Sequence, residues 1–270
     1  MARRWHWTGL LGLAVVALVA AAALCAPWLA PYGPRQIDLP HAFAGPGPGH
    51  LLGAGDNGVD LLSQVIYGAR ISLAVGVLAV LVAGTLGTVL GTAVGYAGGA
   101  ADEILMRIVD VLLAFPGLLL AIFLTAVFGP SFVGLIVALS ATGWGAYARL
   151  ARAQTLSLRN RDFVTAARAA GAGTPRIVLR HLLPNLMGPI VVQATFGLPG
   201  TILAEAALSF LGLGTPPGTP EWGALVDQGA AHLLDAPHVA LVPSAAIALT
   251  VLGLNFVGEA VRDRLDPRGG

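Results

Sequence analysis

Residues 161–185, RDFVTAARAAGAGTPRIVLRHLLPN, form a polar stretch between long apolar segments, with Arg161, Arg168, Arg176 and Arg180 inside it and Arg159 just upstream. These residue types suit docking of a soluble partner better than bond making. The spacing predicts two short helices joined by a sharp turn. Phe163, Ala167 and Ala170 follow i, i+4, i+7 and share one helical face, with Arg161 and Arg168 off it. Gly171-Ala172-Gly173 ends the first helix, since glycine takes the left-handed cap conformation at little cost. Thr174-Pro175 reads as an N-cap followed by a first-turn proline. Covalent chemistry finds no support elsewhere. There is no Gly-x-Ser-x-Gly, no His-Glu-x-x-His and no pair of span-buried aspartates. All fifteen basic residues are arginine. A phosphate-binding P-loop needs a lysine, so any ATP chemistry has to come from another polypeptide. His6, His41, His50, His181, His232 and His238 occur singly and are expected to be surface or interface residues, with no metal or other cofactor. The single cysteine, Cys25, excludes an internal disulfide.

The order Ala166-Ala167, Gly171 and Leu183-Pro184-Asn185 is similar to the cytoplasmic loop signature of permease subunits in binding-protein-dependent ABC importers. The resemblance implies a coupling helix that inserts into a cleft of the ATPase subunit. On that basis Asp162, Phe163, Thr165, Ala166, Ala167, Gly171, Leu183 and Pro184 are the expected ATPase-coupling residues. Thr165 stands where the family usually places glutamate.

Composition sets the class of chain that carries this loop. Of its residues 56% are hydrophobic and only 11% charged, whereas soluble domains carry about 25% charged residues. This is an all-α, multi-pass membrane protein, and 270 residues suit one compact membrane domain. A net charge of +1 gives no sign of nucleic-acid binding. The first apolar run, Thr8 to Leu29, reads as an uncleaved span, because a cut after Ala26 would place Leu24 and Pro27 unfavourably around it. Residues 31–70, rich in proline and glycine, read as an exported loop ending in a short helix from Val59 to Arg70. Here Gly53-Ala54-Gly55-Asp56, Gly58-Val59-Asp60 and Ser63-Gln64 resemble the N-terminal portion of C-subunit permeases for dipeptides, oligopeptides and nickel, without two arginines usual there.

Five further spans follow. A second span covers about Ser72 to Tyr96, with Gly84, Gly87, Gly91 and Gly95 on one stripe that reads first as a packing face. A third runs from Ile108 to Phe128, with a kink expected at Pro116 and an Arg107–Asp110 pair near its start. The fourth covers Ser131 to Leu150. The fifth, Leu186 to Leu211, is expected to be interrupted at Pro189 and Pro199-Gly200. Glu205 within it is either a substrate-pathway residue or a carboxylate solvated at the far interface. A short amphipathic helix near Trp222 to Leu234, suited to the membrane surface or a docked partner, precedes a last span from Val239 to Val257. The runs AEAALSFLGLG, TPPGTPEWGALV and NFVGEAVRDRLDPR also resemble the peptide-permease family.

Six spans put thirteen arginines on the side of the 151–185 loop and only Arg35 and Arg70 on the other. By the positive-inside rule that loop and both termini face the cytoplasm. The division expected is an N-terminal helix and outer loop (1–70), a permease domain (71–262) and a cytoplasmic tail (263–270). The resemblance implies a type I ABC importer transmembrane fold in a bacterial inner membrane. It implies as partners a second homologous permease, two ATP-binding subunits and an extracytoplasmic substrate-binding protein, with membrane lipid around them. The substrate expected is a peptide. Nickel or another small solute is the alternative within that class, and an ion-coupled secondary transporter is the alternative outside it.

Overall fold

A computed structural model describes residues 7–265. Five of its helices are long and apolar enough to cross a membrane, and a bent pair makes a sixth candidate span. Arg3, Arg4, His6 and Arg268 lie outside the described residues. The chain begins with α1 (Trp7–Leu24) and a short α2 (Ala26–Leu29). Two 3-10 turns, Leu39–His41 and Asp56–Gly58, shape the loop that follows.

The organising element is α3 (Leu61–Ala97). At 1.5 Å per residue its 37 residues extend about 55 Å, well beyond the roughly 30 Å hydrocarbon core of a bilayer. The short helix before Arg70 and the second span are therefore one rod. No breaker lies between them, and Asp60 caps the start by accepting from the Ser63 N–H at 2.8 Å.

The glycine stripe packs α3 on α6 (Phe132–Leu158). A Cβ on Gly87 would meet the backbone of Trp144, and one on Gly91 the backbone of Ala148. Gly84 faces only the Tyr147 ring, which would lie 3.5 Å from an added Cβ, an ordinary contact. Gly87 and Gly91 are thus required by backbone approach, a Cβ on Gly95 would crowd the Arg152 backbone at 3.2 Å, and Gly84 is not so constrained.

The third span differs from its expected form. Pro116 ends one helix and starts another: α4 (Gly99–Ala114) and α5 (Gly117–Phe128) meet at 94°. The residue before proline is driven out of the helical region, and Phe115 is extended (φ −84°, ψ 141°). The expected Arg107–Asp110 pair is replaced by pairs across to α6, with Asp110 on Arg149 at 2.6 Å and Asp102 held by the Arg152 guanidinium through two hydrogen bonds. Side chains aimed at a neighbouring helix find partners there rather than one turn along their own.

After α6 come α7 (Asp162–Ala169), α8 (Thr174–Ile177), a π-turn (Val178–Leu182) and α9 (Leu183–Phe210). Pro189 and Pro199 lie inside α9 without interrupting it, contrary to the expectation of a broken span. α10 (Trp222–Ala230) packs Trp222 and Leu225 into the protein and leaves Asp227 and Gln228 exposed. Trp222 is 1% exposed, and its Nε1–H donates to the Val65 carbonyl at 3.0 Å. α11 (His238–Leu265) closes the domain against α1, where Gly12 allows the Gly253 backbone to come close.

Candidate functional site

The hairpin forms at the C-terminal end of α3. Val164, Ile177 and Leu182 are fully buried or nearly so, and they pack with Tyr96, Leu158, Ala172 and Val178. Two arginines tie this cluster to α3. Arg159 donates to the Gly95 carbonyl and Arg168 to the Tyr96 hydroxyl, each at 3.1 Å, with the Arg168 guanidinium 5.7 Å from the Tyr96 ring centre.

The turn at Gly171 has a specific cause. Its φ is +82°, and its N–H donates to the Arg168 carbonyl while the Ala172 N–H donates to that of Ala167. This is the Schellman pairing, which satisfies the last carbonyls of α7 and requires a left-handed residue at Gly171. The expected cap is therefore present. Thr174, expected as the N-cap of the second helix, instead occupies its first turn, and Gly173 is the cap.

The second helix is not short, because it continues through the π-turn into α9. Pro184 explains the turn. It lacks an N–H for the Arg180 carbonyl, and the ladder widens so that the Leu183 N–H reaches Val178. Asn185 Nδ2 then donates to the His181 carbonyl at 2.7 Å. Leu183-Pro184-Asn185 thus works as a structural device that rigidly joins the hairpin to a membrane-crossing helix.

Among the expected coupling residues, Asp162, Phe163, Thr165 and Ala166 are exposed on α7, while Ala167 is half-buried. Gly171 and Pro184 are exposed and Leu183 is half-buried. Phe163 is 39% exposed, large apolar surface for the tip of a hairpin, while Thr165 Oγ1 donates back to the Asp162 carbonyl at 2.9 Å. The anchoring residue, Val164, escaped the sequence reading. Apart from Phe163 it is the only apolar side chain in α7 larger than alanine, and that was the available signal.

Glu205 is not a solvated interface residue. It is wholly buried, with Oε1 accepting from Ser72 Oγ at 3.3 Å and Ser209 Oγ at 3.4 Å, while Oε2 has no partner. The Ser72 hydroxyl also accepts from the Trp222 N–H, so Glu205 joins α3, α9 and α10. A separate cleft of about 310 Å³ opens between α3, α5, α6 and α9, where Thr142, Tyr147, Gln193 and Thr201 supply polar groups among small apolar residues. Glu205 does not line it.

In the loop before α3, the structure gathers residues that sequence spacing kept apart. The His41 and His50 ring centres lie 5.6 Å from each other, and both histidines contact the Asp38 carboxylate.

The architecture and the hairpin agree with what the chain is similar to. Residues 87–269 match the model of the binding-protein-dependent transport system inner membrane component, and residues 4–46 match the N-terminal TM domain of oligopeptide transport permease C. A putative peptide transport system permease protein of Brucella abortus biovar 1 (strain 9-941) is 41% identical over 263 residues, covering 97% of this chain and 88% of the relative. The glutathione transport system permease protein GsiD of Shigella dysenteriae serotype 1 (strain Sd197) is 44% identical over 267 residues, covering 98% and 88%. GsiD of Escherichia coli O6:K15:H31 (strain 536 / UPEC) gives the same figures. The chain belongs to the family of binding-protein-dependent transport system inner membrane components, as a multi-pass, inner-membrane permease subunit of an ABC transport system.

Proposed function

We propose that this chain forms half of a peptide-import pathway. A second homologous permease supplies the other half, two separate ATPase subunits hydrolyse ATP, and an extracytoplasmic binding protein delivers the substrate. The observation that carries this reading is the exposed face of α7, set against α8 by the Gly171 cap, with α8 running without a break into α9. Movement of the ATPase against Asp162–Ala170 passes through the π-turn into a span whose residues Gln193 and Thr201 line the cleft. Rigid-body rocking of packed helices then exposes the cleft to alternate sides. The permease makes and breaks no covalent bond. Peptide as the substrate rests on the names of the relatives.

The hairpin end is assigned to the cytoplasm, with both termini. Arg152, Arg159, Arg161, Arg168, Arg176 and Arg180 lie there. At the other end Arg35 donates to the Gly218 carbonyl, joining two outer loops. The functional divisions remain 1–70, 71–262 and 263–270, with the coupling loop at 151–185. The topology is tested by replacing the exposed Cys25 with serine and placing single cysteines at Gly173 and Pro217. An impermeant thiol reagent is expected to reach Pro217→Cys from outside and Gly173→Cys only from inside. Labelling of both from outside overturns the assignment. The transport reading is tested in proteoliposomes holding the complete complex. Peptide uptake is expected to require ATP and binding protein and to survive collapse of ion gradients. Uptake driven by a gradient without ATP overturns it.

A further inference from the structure

We propose that Asp38, His41 and His50 form a binding site for a divalent transition-metal ion of the zinc, cobalt or nickel type, with Asp60 orienting His50. The ligand atoms of these three residues lie within 4.8 Å of one another. His41 Nδ1 is 2.9 Å from Asp38 Oδ2, and His50 Nε2 is 3.7 Å from the same oxygen. With metal–ligand bonds of about 2.0–2.2 Å, neighbouring ligands of one ion are separated by roughly 2.9–3.5 Å. The observed separations bracket that range.

The roles of the His50 nitrogens are set by burial. Its Nδ1 is 2.9 Å from Oδ1 of Asp60, which is itself 2% exposed. A buried carboxylate accepts, so Nδ1 is the donor to Asp60, and Nε2 on the other side of the ring faces Asp38. At 3.7 Å Nε2 and Asp38 Oδ2 are too far apart for a hydrogen bond, and a cation between them would bind both. A carboxylate that receives one ring nitrogen while the other meets a metal is a recurrent arrangement around bound ions. Asp60 has no freedom to turn away, because its Oδ2 accepts from both the N–H and the hydroxyl of Ser63.

The backbone holds the ligands in place. The Asp38 N–H donates to the Asn57 carbonyl at 3.0 Å. Gly58, at φ +71°, faces the Asp38 backbone where no Cβ would fit. His50 exchanges two backbone hydrogen bonds with Gly47, at 3.0 and 3.2 Å. Two imidazoles and one carboxylate suit borderline first-row ions, whereas calcium and magnesium take oxygen ligands. Three protein ligands leave coordination positions for water or an added ligand. Occupied, the site would pin residues 38–50 onto the first turn of α3.

The experiment uses the full chain, purified through a tag without histidine, stripped with chelator and placed in nanodiscs. It is titrated with cobalt(II) while the visible d–d bands are followed, and zinc is counted by elemental analysis after equilibrium dialysis. One equivalent of each is expected per chain. Asp60→Asn keeps an oxygen for the helix cap and is expected to weaken affinity about 10–100-fold. His41→Ala and His50→Ala are expected to weaken it by at least that much, and His181→Ala not at all. His41 has a side chain 58% exposed, so its replacement reports on binding without disturbing the core. Absence of stoichiometric cobalt and zinc in the wild type overturns the proposal. So does wild-type affinity in the His41→Ala/His50→Ala double variant.

Discussion

The two ends of α3 are built on opposite principles. At its C-terminal end the hairpin is attached by three buried aliphatic side chains and two arginines, and much of its outer face is uncovered. At its N-terminal end Asp60, Glu205, Glu221 and Trp222 are all buried; Asp60, Glu205 and Trp222 are each hydrogen-bonded to a different segment, and Glu221 accepts from the Thr215 N–H within its own loop. The first arrangement leaves a face free for a partner and keeps only its angle rigid. The second locks α3, α9, α10 and the outer loops into one block. The proposed coupling would use both: a docking element at one end and a unit that moves as a whole behind it.

The largest effect is expected where the block is weakened. Trp222→Ala empties the space against Gly68 and removes the second donor to the Val65 carbonyl, which corresponds to about 3–5 kcal/mol for an aromatic removed from a core. Thermal aggregation of the detergent-purified protein should show a clear loss of stability, and an unchanged midpoint would remove Trp222 as an anchor. Glu205→Ala comes next. It relieves the partnerless Oε2 but leaves the Ser72 and Ser209 hydroxyls without their acceptor. Assembly with the ATPases should persist while transport falls, and wild-type uptake would confine Glu205 to packing.

At the hairpin end smaller energies are expected to have a functional rather than a structural effect. Gly171→Val meets no neighbouring atom within 4 Å, so its cost is backbone strain alone, on the order of 1–2 kcal/mol. The protein should accumulate in the membrane near its normal level, yet its ATPase partner should no longer respond to loaded binding protein. Gly173→Ala, at φ −70°, should be nearly silent. Normal coupling in Gly171→Val would dissociate the hairpin angle from transport. The smallest effect is expected for Thr165→Glu, since Thr165 is exposed and its hydroxyl bonds only within α7. Co-purification with the ATPases should be retained. Its loss would show that the extra charge meets an unsuitable surface.

Much of this molecule was legible in one dimension, because lipid imposes simple demands. Apolar runs of about twenty residues become helices, since no other open backbone satisfies its hydrogen bonds in hydrocarbon. Proline and positive-φ glycine act over one or two residues, so the bend at Pro116 and the cap at Gly171 could be located from sequence, although Pro189 and Pro199 do not interrupt their helix. What only the tertiary structure decided was partnership. Asp110 turns to Arg149 rather than Arg107, and Trp222 enters the core rather than the membrane surface. Glu205 meets Ser72, 133 residues away, and His50 meets both Asp38 and Asp60. Helical periodicity specifies which face a side chain occupies, but which helix or loop covers that face depends on how distant segments pack. Packing also decides whether a buried polar atom finds a partner.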